Sequence, residues 1–474
     1  MTGARPLAAG PRSLYDLGAA DLARLVEEAG EPPYRARQLA RWLDRRKEAD
    51  LGAMTDLPGG FRGWLAERFA GSGLVLERHQ VGDGGWTHKF LFGLPGGDSV
   101  ESVLMLYPPA GEGEAGGGGG SGGLSSEART RGPGPPSRAE RSPPVDGGSG
   151  GLSSEARTGG PGPPSRAERS PPVDTAEEED WEAGPRYKGQ GRATLCISTQ
   201  AGCAMGCTFC ATGQFGFTRN LSTGEVVEQV ARVWSLLGEL RPAPSAPDHL
   251  TNVVFMGMGE PFANPGATWG AAWRLHQGLG LSARAITIST VGLVPGIRRA
   301  AREALPVNLA VSIHAATDEL RDRLVPLNHT WPIAALLEAV RAYVAATRRR
   351  VSFEYALIRD TNDGLDQADE LGRLLAPLRV PSSGGHAAHV NLIPYNPTPG
   401  LDLRTPSSGA VRRFRDKLAA HGLPVSVRAN RGVGIDAACG QLRSAAGRPG
   451  RRTEPPLLQP RQRARTLFGD LLET

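Results

Sequence analysis

The sequence predicts an α/β protein: a partial (β/α)6 barrel preceded by an N-terminal helical domain and a small β extension. Three observations predict it. From Arg192 onward, short runs rich in β-branched residues alternate with stretches of helical periodicity, the pattern of a parallel sheet joined by right-handed crossovers. Before about residue 70, apolar residues recur at helical spacing. Between these regions lie three short runs joined by Gly-rich turns, which read as strands.

In chain order, Leu22, Leu25, Val26 and Ala29 mark one helix, and Ala36, Leu39, Ala40 and Leu43 a second. Pro32 and Pro33 sit just before the second, where proline is tolerated. Strands of the extension are expected at 74–80, 87–94 and 99–106, with turns at 82–85 and 96–97. Barrel strands are expected at 193–198, 252–256, 285–289, 307–313, 351–357 and 389–393. The clearest helix between them opens at Ser222-Thr223-Gly224-Glu225, a capping-box arrangement, and runs to Leu240 with Val226, Val230, Val233 and Leu237 on one face. The expected organisation is a helical domain over 1–72, a β extension over 73–107, an insertion over 108–190, a barrel over 191–445 and a tail over 446–474. In a barrel of this kind chemistry belongs at the C-terminal ends of the strands.

Of 474 residues, 64 are Gly and 39 Pro, and they concentrate in the insertion and the tail. Both segments offer too little apolar surface to offset the entropy of ordering, so no packed core is expected from either. The insertion contains a tandem repeat, 119–146 and 147–174, identical at 27 of 28 positions with Arg131 standing against Gly159. Each unit has one Leu and one Val, so the repeats cannot stack as a solenoid. No apolar run approaches the ~18–20 residues of a spanning helix, and the N-terminus has no apolar signal segment. A cytoplasmic protein with no membrane contact is expected. The net charge of +5 is modest, but 34–47 carries six basic residues against the single acid Asp44, and the tail from Gln441 carries seven Arg. Such stretches can collect phosphate backbones, although each also fits a solvated helix face or a loose tail.

Five cysteines are too few for a disulfide scaffold, and four lie between Cys196 and Cys210. Cys203, Cys207 and Cys210 follow the first barrel strand at a spacing that can wrap one metal centre. Three thiolates leave a coordination position open, as in an iron–sulfur centre with one iron lacking a protein ligand. A structural zinc completed by Cys196 or His314 is the competing reading. Other strand ends carry Met256-Gly257-Met258-Gly259-Glu260, Ser289, Ser312 with Ile313 and His314, and Asn396. Each alone reads as a loop or cap residue; together they put polar groups on the rim that holds the cysteines.

Seven segments carry a resemblance: 100–108, 193–223, 253–261, 286–297, 309–328, 390–400 and 434–442. On them the chain resembles the radical S-adenosylmethionine (SAM) superfamily and, within it, the RlmN/Cfr group of RNA methyltransferases. The resemblance implies that Cys203, Cys207 and Cys210 hold one [4Fe–4S] cluster per chain, with SAM on its open iron. It implies SAM binding by Gly259, Glu260, Ser289, Ser312, Ile313, His314 and Asn396. Cys439 matches the cysteine that is methylated, Cys196 its transient disulfide partner, and Glu101 the proton acceptor. Without the resemblance, Cys196 and Cys439 read equally well as buried apolar cysteines and Glu101 as a strand-surface carboxylate.

The implied reaction is methylation of C2 of adenine in 23S rRNA (adenine 2503) and in tRNA (adenine 37), using two SAM molecules per turnover. One SAM methylates Cys439; the other yields a 5′-deoxyadenosyl radical that activates the new S-methyl group. The implied partners are these two RNAs and an electron-donor protein such as flavodoxin, with the enzyme acting as a monomer. Methylation at C8, as in the Cfr branch, and a non-catalytic zinc RNA-binding module are the alternatives. Two departures from the group's pattern stand out. The run 431–436 lacks the acidic residue that usually follows Arg431-Gly432, and the insertion separates Glu101 from Cys196.

Overall fold

A computed structural model describes residues 12–70, 72–109, 191–380, 383–398, 400–428, 431–438 and 440–442. Nearly all of the insertion, the basic tail and Cys439 itself lie outside the described residues. The chain begins with a two-residue strand β1 (Arg12–Ser13), then helices α1 (Ala19–Glu28), α2 (Tyr34–Ala40) and α3 (Gly59–Ala66), and closes this domain with β2 (Phe69–Ala70), which pairs in parallel with β1. Leu22, Leu25, Val26, Leu39 and Leu43 are buried, as their spacing predicts. Helix α2 follows Pro33 and continues as a wide turn through 41–46. There Asp44 turns inward to Arg274 at 2.9 Å, while Arg37, Arg41, Arg45 and Arg46 stay exposed.

The extension is β3 (Val75–Gly82), β4 (Thr87–Gly93) and β5 (Ser99–Tyr107), antiparallel as their turns predict. The barrel strands are β6 (Arg192–Cys196), then, after the hairpin β7 (Gln200–Gly202) and β8 (Phe217–Asn220), β9 (Asn252–Phe255), β10 (Ile286–Thr290), β11 (Asn308–Ser312), β12 (Val351–Leu357), β13 (Ala388–Pro394) and β14 (Val425–Val427). Helices α4 (Ala211–Phe215), α5 (Thr223–Leu240), α6 (Pro265–Gln277), α7 (Val294–Ala300), α8 (Asp318–Leu324), α9 (Ile333–Thr347), α10 (Leu365–Leu375) and α11 (Ser408–Ala419) lie between them. The six predicted barrel strands are all present and parallel; the short seventh, β14, was not predicted.

Barrel and extension form one open sheet in the order β14-β13-β12-β11-β10-β9-β6-β5-β4-β3. Strands β5 and β6 are antiparallel neighbours, registered from Tyr107 against Arg192 to Val103 against Cys196. The insertion therefore takes the place of a hairpin turn. It separates Glu101 from Cys196 in sequence without separating their strands, because closure entropy grows only slowly with loop length.

Register also explains the sheet's two faces. Leu195, Val253, Ile288, Val311 and Phe353 point to one side and are fully buried. On the other side the register aligns Cys196, Val254, Thr287 and Ser289, Ser312, Glu354 and Asn391. Side chains alternate along a strand, so the polar letters share the barrel interior. Helix α5 seats the N-terminal domain. Its Ser222 and Glu225 form the predicted capping box, and its buried Glu228 accepts from the N–H groups of Gly73 (2.9 Å) and Leu74 (3.3 Å).

Candidate active site

The cysteine loop begins at the end of β7, in the separate two-stranded β7–β8 hairpin. Gly202 precedes Cys203 with φ +78°, and a Cβ there would lie 2.0 Å from the Gly216 carbonyl oxygen, so only glycine fits. The Cys203 N–H donates to that carbonyl (2.8 Å), Thr208 N–H to Leu324 O at the end of α8 (3.1 Å), and Gln214 Nε2 to Cys207 O (2.9 Å). These bonds fix the loop so that Cys203, Cys207 and Cys210 line one cavity. Burial pushes all three thiols up, Cys203 to about 12. Thiols this reluctant to ionise become thiolates when a metal centre binds and displaces their protons.

The other walls are the predicted strand ends. Gly259 has φ +101°, and a Cβ there would meet Gln200 at 2.6 Å, so the loop after β9 lies against the start of the cysteine loop. Gln200 Oε1 accepts the Glu260 N–H (2.8 Å), while the Glu260 carboxyl accepts from Phe262 N (3.0 Å) and Val291 N (2.8 Å). Burial outweighs these bonds and raises the Glu260 carboxyl to about 7. His314 has φ +56°, and its Nδ1 accepts the Ala356 N–H (2.9 Å), which leaves the ring proton on Nε2. Burial lowers its pKa to about 3, so the ring is neutral. The Phe209 ring meets it edge-on at 4.7 Å. Gly259, Glu260, Ser289, Ser312, His314 and Asn396 all line the cavity.

The chain as a whole is similar to known proteins. Residues 197–371 match the model of the radical SAM superfamily, and residues 12–70 that of the ribosomal RNA large subunit methyltransferase N-terminal domain. A curated protein of Chloroflexus aurantiacus, "Probable dual-specificity RNA methyltransferase RlmN", is 42% identical over 91% of this chain and 92% of its own length. The chain belongs to the RlmN family. A second RlmN protein, from Thermobifida fusca, is 41% identical over 91% of this chain and 94% of its own length. The crystal structure of a radical SAM methyltransferase from Sphaerobacter thermophilus has a TM-score of 0.69 and 39% identity, covering 91% of this chain and 99% of that one.

As a radical SAM enzyme of the RlmN family, the protein uses a [4Fe–4S] cluster and SAM. The donor set fits. Among the described residues no three ligating side chains converge on a single ion, whereas three thiols spread around one cavity can each take a separate iron. Cys196, a fourth ligand in the zinc reading, does not line that cavity.

The remaining expected residues of the RlmN family fall into two groups. Ile313 is fully buried and does not line the cavity; its N–H donates to Glu354 O (3.0 Å) and its carbonyl accepts from Arg321 Nε (3.0 Å). Glu101 and Cys196 lie outside the cavity lining but share the inner face, since Val103 stands opposite Cys196 and Glu101 is two residues from Val103. Glu101 is not a surface carboxylate. It is buried and paired with Lys89 at 2.8 Å.

Cys439 lies outside the described residues, but both its neighbours are tied down. Ala211 N–H donates to Gly440 O (2.8 Å), Thr212 Oγ1 to Leu442 O (2.6 Å), and Gln441 links Ala438 N–H (3.1 Å) to Pro397 O (2.7 Å). Helix α4, which begins straight after Cys210, thus holds the segment that follows Cys439. Sequence reading missed Thr212, Gln441, Lys89, Arg321 and Asn362, whose Nδ2 donates to the His314 carbonyl (2.9 Å). Each acts on residues distant from it along the chain or on another element, and no local spacing signals that.

Proposed function

We propose that the protein methylates C2 of adenine in 23S rRNA and tRNA through an S-methylcysteine at Cys439. The observation that supports this most is the fastening of 438–442 to the cysteine loop and the cavity rim, which brings the neighbours of Cys439 to the three-cysteine cavity. When bound, the cluster would supply one-electron reduction of SAM, chemistry that protein groups cannot perform. One cluster per chain and two SAM molecules per turnover follow from this scheme. Cys203, Cys207 and Cys210 would hold the cluster, and Gly259, Glu260, Ser289, Ser312, His314 and Asn396, with Ile313 as a backbone brace, would orient SAM.

The chain's own residues do the rest. Cys439 accepts the methyl group as a thiolate, a strong nucleophile. Glu101 takes the C2 proton once the methylene carbon is attached. The adduct gives up its unpaired electron to the one-electron carrier, and the Cys196 thiolate attacks the Cys439 sulfur; the C–S bond breaks with its pair left on carbon, which takes a proton to become the methyl group as the disulfide forms. The adenine has to leave its stack to reach this face, which suits targets in RNA loops. We assign the protein to the cytoplasm, acting as a monomer with a flavodoxin-type electron donor.

The test is anaerobic incubation of the cluster-loaded protein with SAM, reductant and an unmodified 23S rRNA fragment, followed by mass spectrometry of the nucleosides. The expected product is 2-methyladenosine, lost in Cys439→Ala. 8-Methyladenosine would move the protein to the Cfr-type reaction, and a colourless zinc protein without product would end the radical reading.

We further assign RNA docking to the basic helix around Arg35, Arg37, Arg41, Arg45 and Arg46; Arg35 is half-buried and the other four are exposed. Changing the exposed four to Gln is expected to weaken binding. Each phosphate no longer neutralised should flatten the slope of log K against log salt by roughly 0.7–0.9. An unchanged slope in a filter-binding titration would remove these residues from the interface.

A further inference from the structure

We propose that Lys89 is a positioning residue for Glu101, coupling the carboxylate to the loop that carries Cys439; this rests on the reading of Glu101 as the proton acceptor. Lys89 Nζ lies 2.8 Å from Glu101 Oε1, with side-chain exposures of 6% and 5%. The same ammonium donates to the Asp436 carbonyl at 2.9 Å, across 347 positions of sequence. The register makes the arrangement a row: Lys89 stands opposite Val103, and Val103 opposite Cys196, on the inner face that Glu101 shares.

The loop reached by Lys89 is docked on the extension by further bonds. Asp83 Oδ2 accepts from Gly432 N–H (2.9 Å) and Thr87 Oγ1 (2.6 Å). Arg431 donates to Leu106 O (3.2 Å) and lies 4.3 Å from the centroid of the Tyr107 ring. Ala437 N–H closes back on Gly432 O (2.9 Å). The three strands of the extension thus carry the carboxylate and also seat the approach to Cys439.

Stability alone does not require a lysine here. Burying an ion pair costs solvation that its attraction seldom more than offsets, so apolar side chains in place of both partners would pack as well, whereas loss of Lys89 alone leaves the Glu101 carboxylate buried without its counter-charge. What the ammonium adds is specific. An opposite charge beside a carboxylate favours the charged, proton-accepting form. The bond to the Asp436 carbonyl then gives that carboxylate a fixed distance from the Cys439 loop, so base and methyl carrier meet the adenine in register.

The experiment uses the full-length, cluster-loaded protein with SAM, reductant and the 23S rRNA fragment. It compares wild type with Lys89→Met, Lys89→Gln, Lys89→Arg and Glu101→Gln. Three quantities are followed: S-methylation of Cys439 by peptide mass spectrometry, RNA held on the protein in denaturing gels, and 2-methyladenosine. Both neutral variants are expected to methylate Cys439 at the wild-type rate. They should release 2-methyladenosine at least ~100-fold more slowly and retain RNA on the protein, the scale of a lost general base. Lys89→Arg, which keeps the charge, should recover release to within about tenfold of wild type.

Wild-type release from either neutral variant overturns the proposal. So does equal slowing of Cys439 methylation and of release in all three Lys89 variants, which would mark Lys89 as general scaffolding. If Glu101→Gln itself releases product normally, the base assignment falls and takes this inference with it. If Glu101→Gln stalls while the neutral Lys89 variants do not, the base assignment stands and only the role of Lys89 is lost.

Discussion

Replacing Arg321 by Met is expected to destabilise the protein by about 3–5 kcal/mol, the usual cost of stripping one partner from a buried charged network. Arg321 sits on α8 and is 1% exposed. Its guanidinium donates from Nε to Ile313 O (3.0 Å), from one terminal nitrogen to Asn328 Oδ1 (2.8 Å), and from the other to Val291 O (2.6 Å) and Ser312 O (3.2 Å). Asn328 passes the link on to Asp318 (2.9 Å) and Asp322 (2.7 Å). One side chain therefore joins the ends of β10 and β11, the strands that carry Ser289 and Ser312, to the helix whose last turn receives the cysteine loop.

Burial lowers the Arg321 pKa to about 10, against the pull of Cys207, Asp318 and Asp322, so the group stays charged at neutral pH. Methionine would leave three carbonyls without that donor and two carboxylates without their counter-charge. Iron content should fall together with the denaturation midpoint. The Arg321→Lys variant should rescue neither, because an ammonium cannot reproduce the planar fork. A loss below about 1 kcal/mol with full iron loading would show the network to be dispensable.

Arg321 also shows where sequence reading stops. In Asp318-Glu319-Leu320-Arg321-Asp322-Arg323 it reads as one more charge on a polar helix, and nothing local separates it from Arg323. The distinction arises only when α8 folds under the ends of two strands, so that Arg321 reaches carbonyls 8 to 30 residues away in sequence. Lys89 is hidden in the same way. Strand β4 is buried at every position, yet the loop covering its Lys89 face comes from near residue 436.

By contrast, Cys203, Cys207 and Cys210 are legible because one short loop carries all three. The strand ends are legible because β-branched runs stop there, and the capping box of α5 because its two partners are three residues apart. Strand β14 escapes notice because three residues after Pro424 give no period to read, and they become a strand only by pairing with β13. Local periodicity thus specifies the elements and the residues that line the cavity, while the braces behind that lining are specified by tertiary contacts.

The pH dependence of stability offers a second large effect, carried by Glu260 and His314 with opposite signs. Glu260 has a pKa of about 7 when folded against 4.5 otherwise. Below pH about 4.5 it is protonated in both states. Between about 4.5 and 7 the unfolded chain gives up the proton and the folded chain keeps it, so stability falls as pH rises; above about 7 the whole cost, on the order of 3 kcal/mol, has been incurred. His314 runs the other way. Its pKa is about 3 when folded against 6.5 otherwise, so between those values the unfolded chain binds the extra proton and stability rises with pH. Between about pH 4.5 and 6.5 these two slopes oppose each other, so neither is read from wild type alone. Glu260→Gln removes one slope. The lost or misdirected hydrogen bonds to Phe262 and Val291 add a constant cost that does not depend on pH. The difference in unfolding free energy between wild type and Glu260→Gln is therefore expected to shift by about 3 kcal/mol in favour of the variant from pH 4.5 to 7, read by denaturant titration at each pH. A difference that stays constant within about 1 kcal/mol would mean that the carboxyl ionises in the folded cavity as readily as in water.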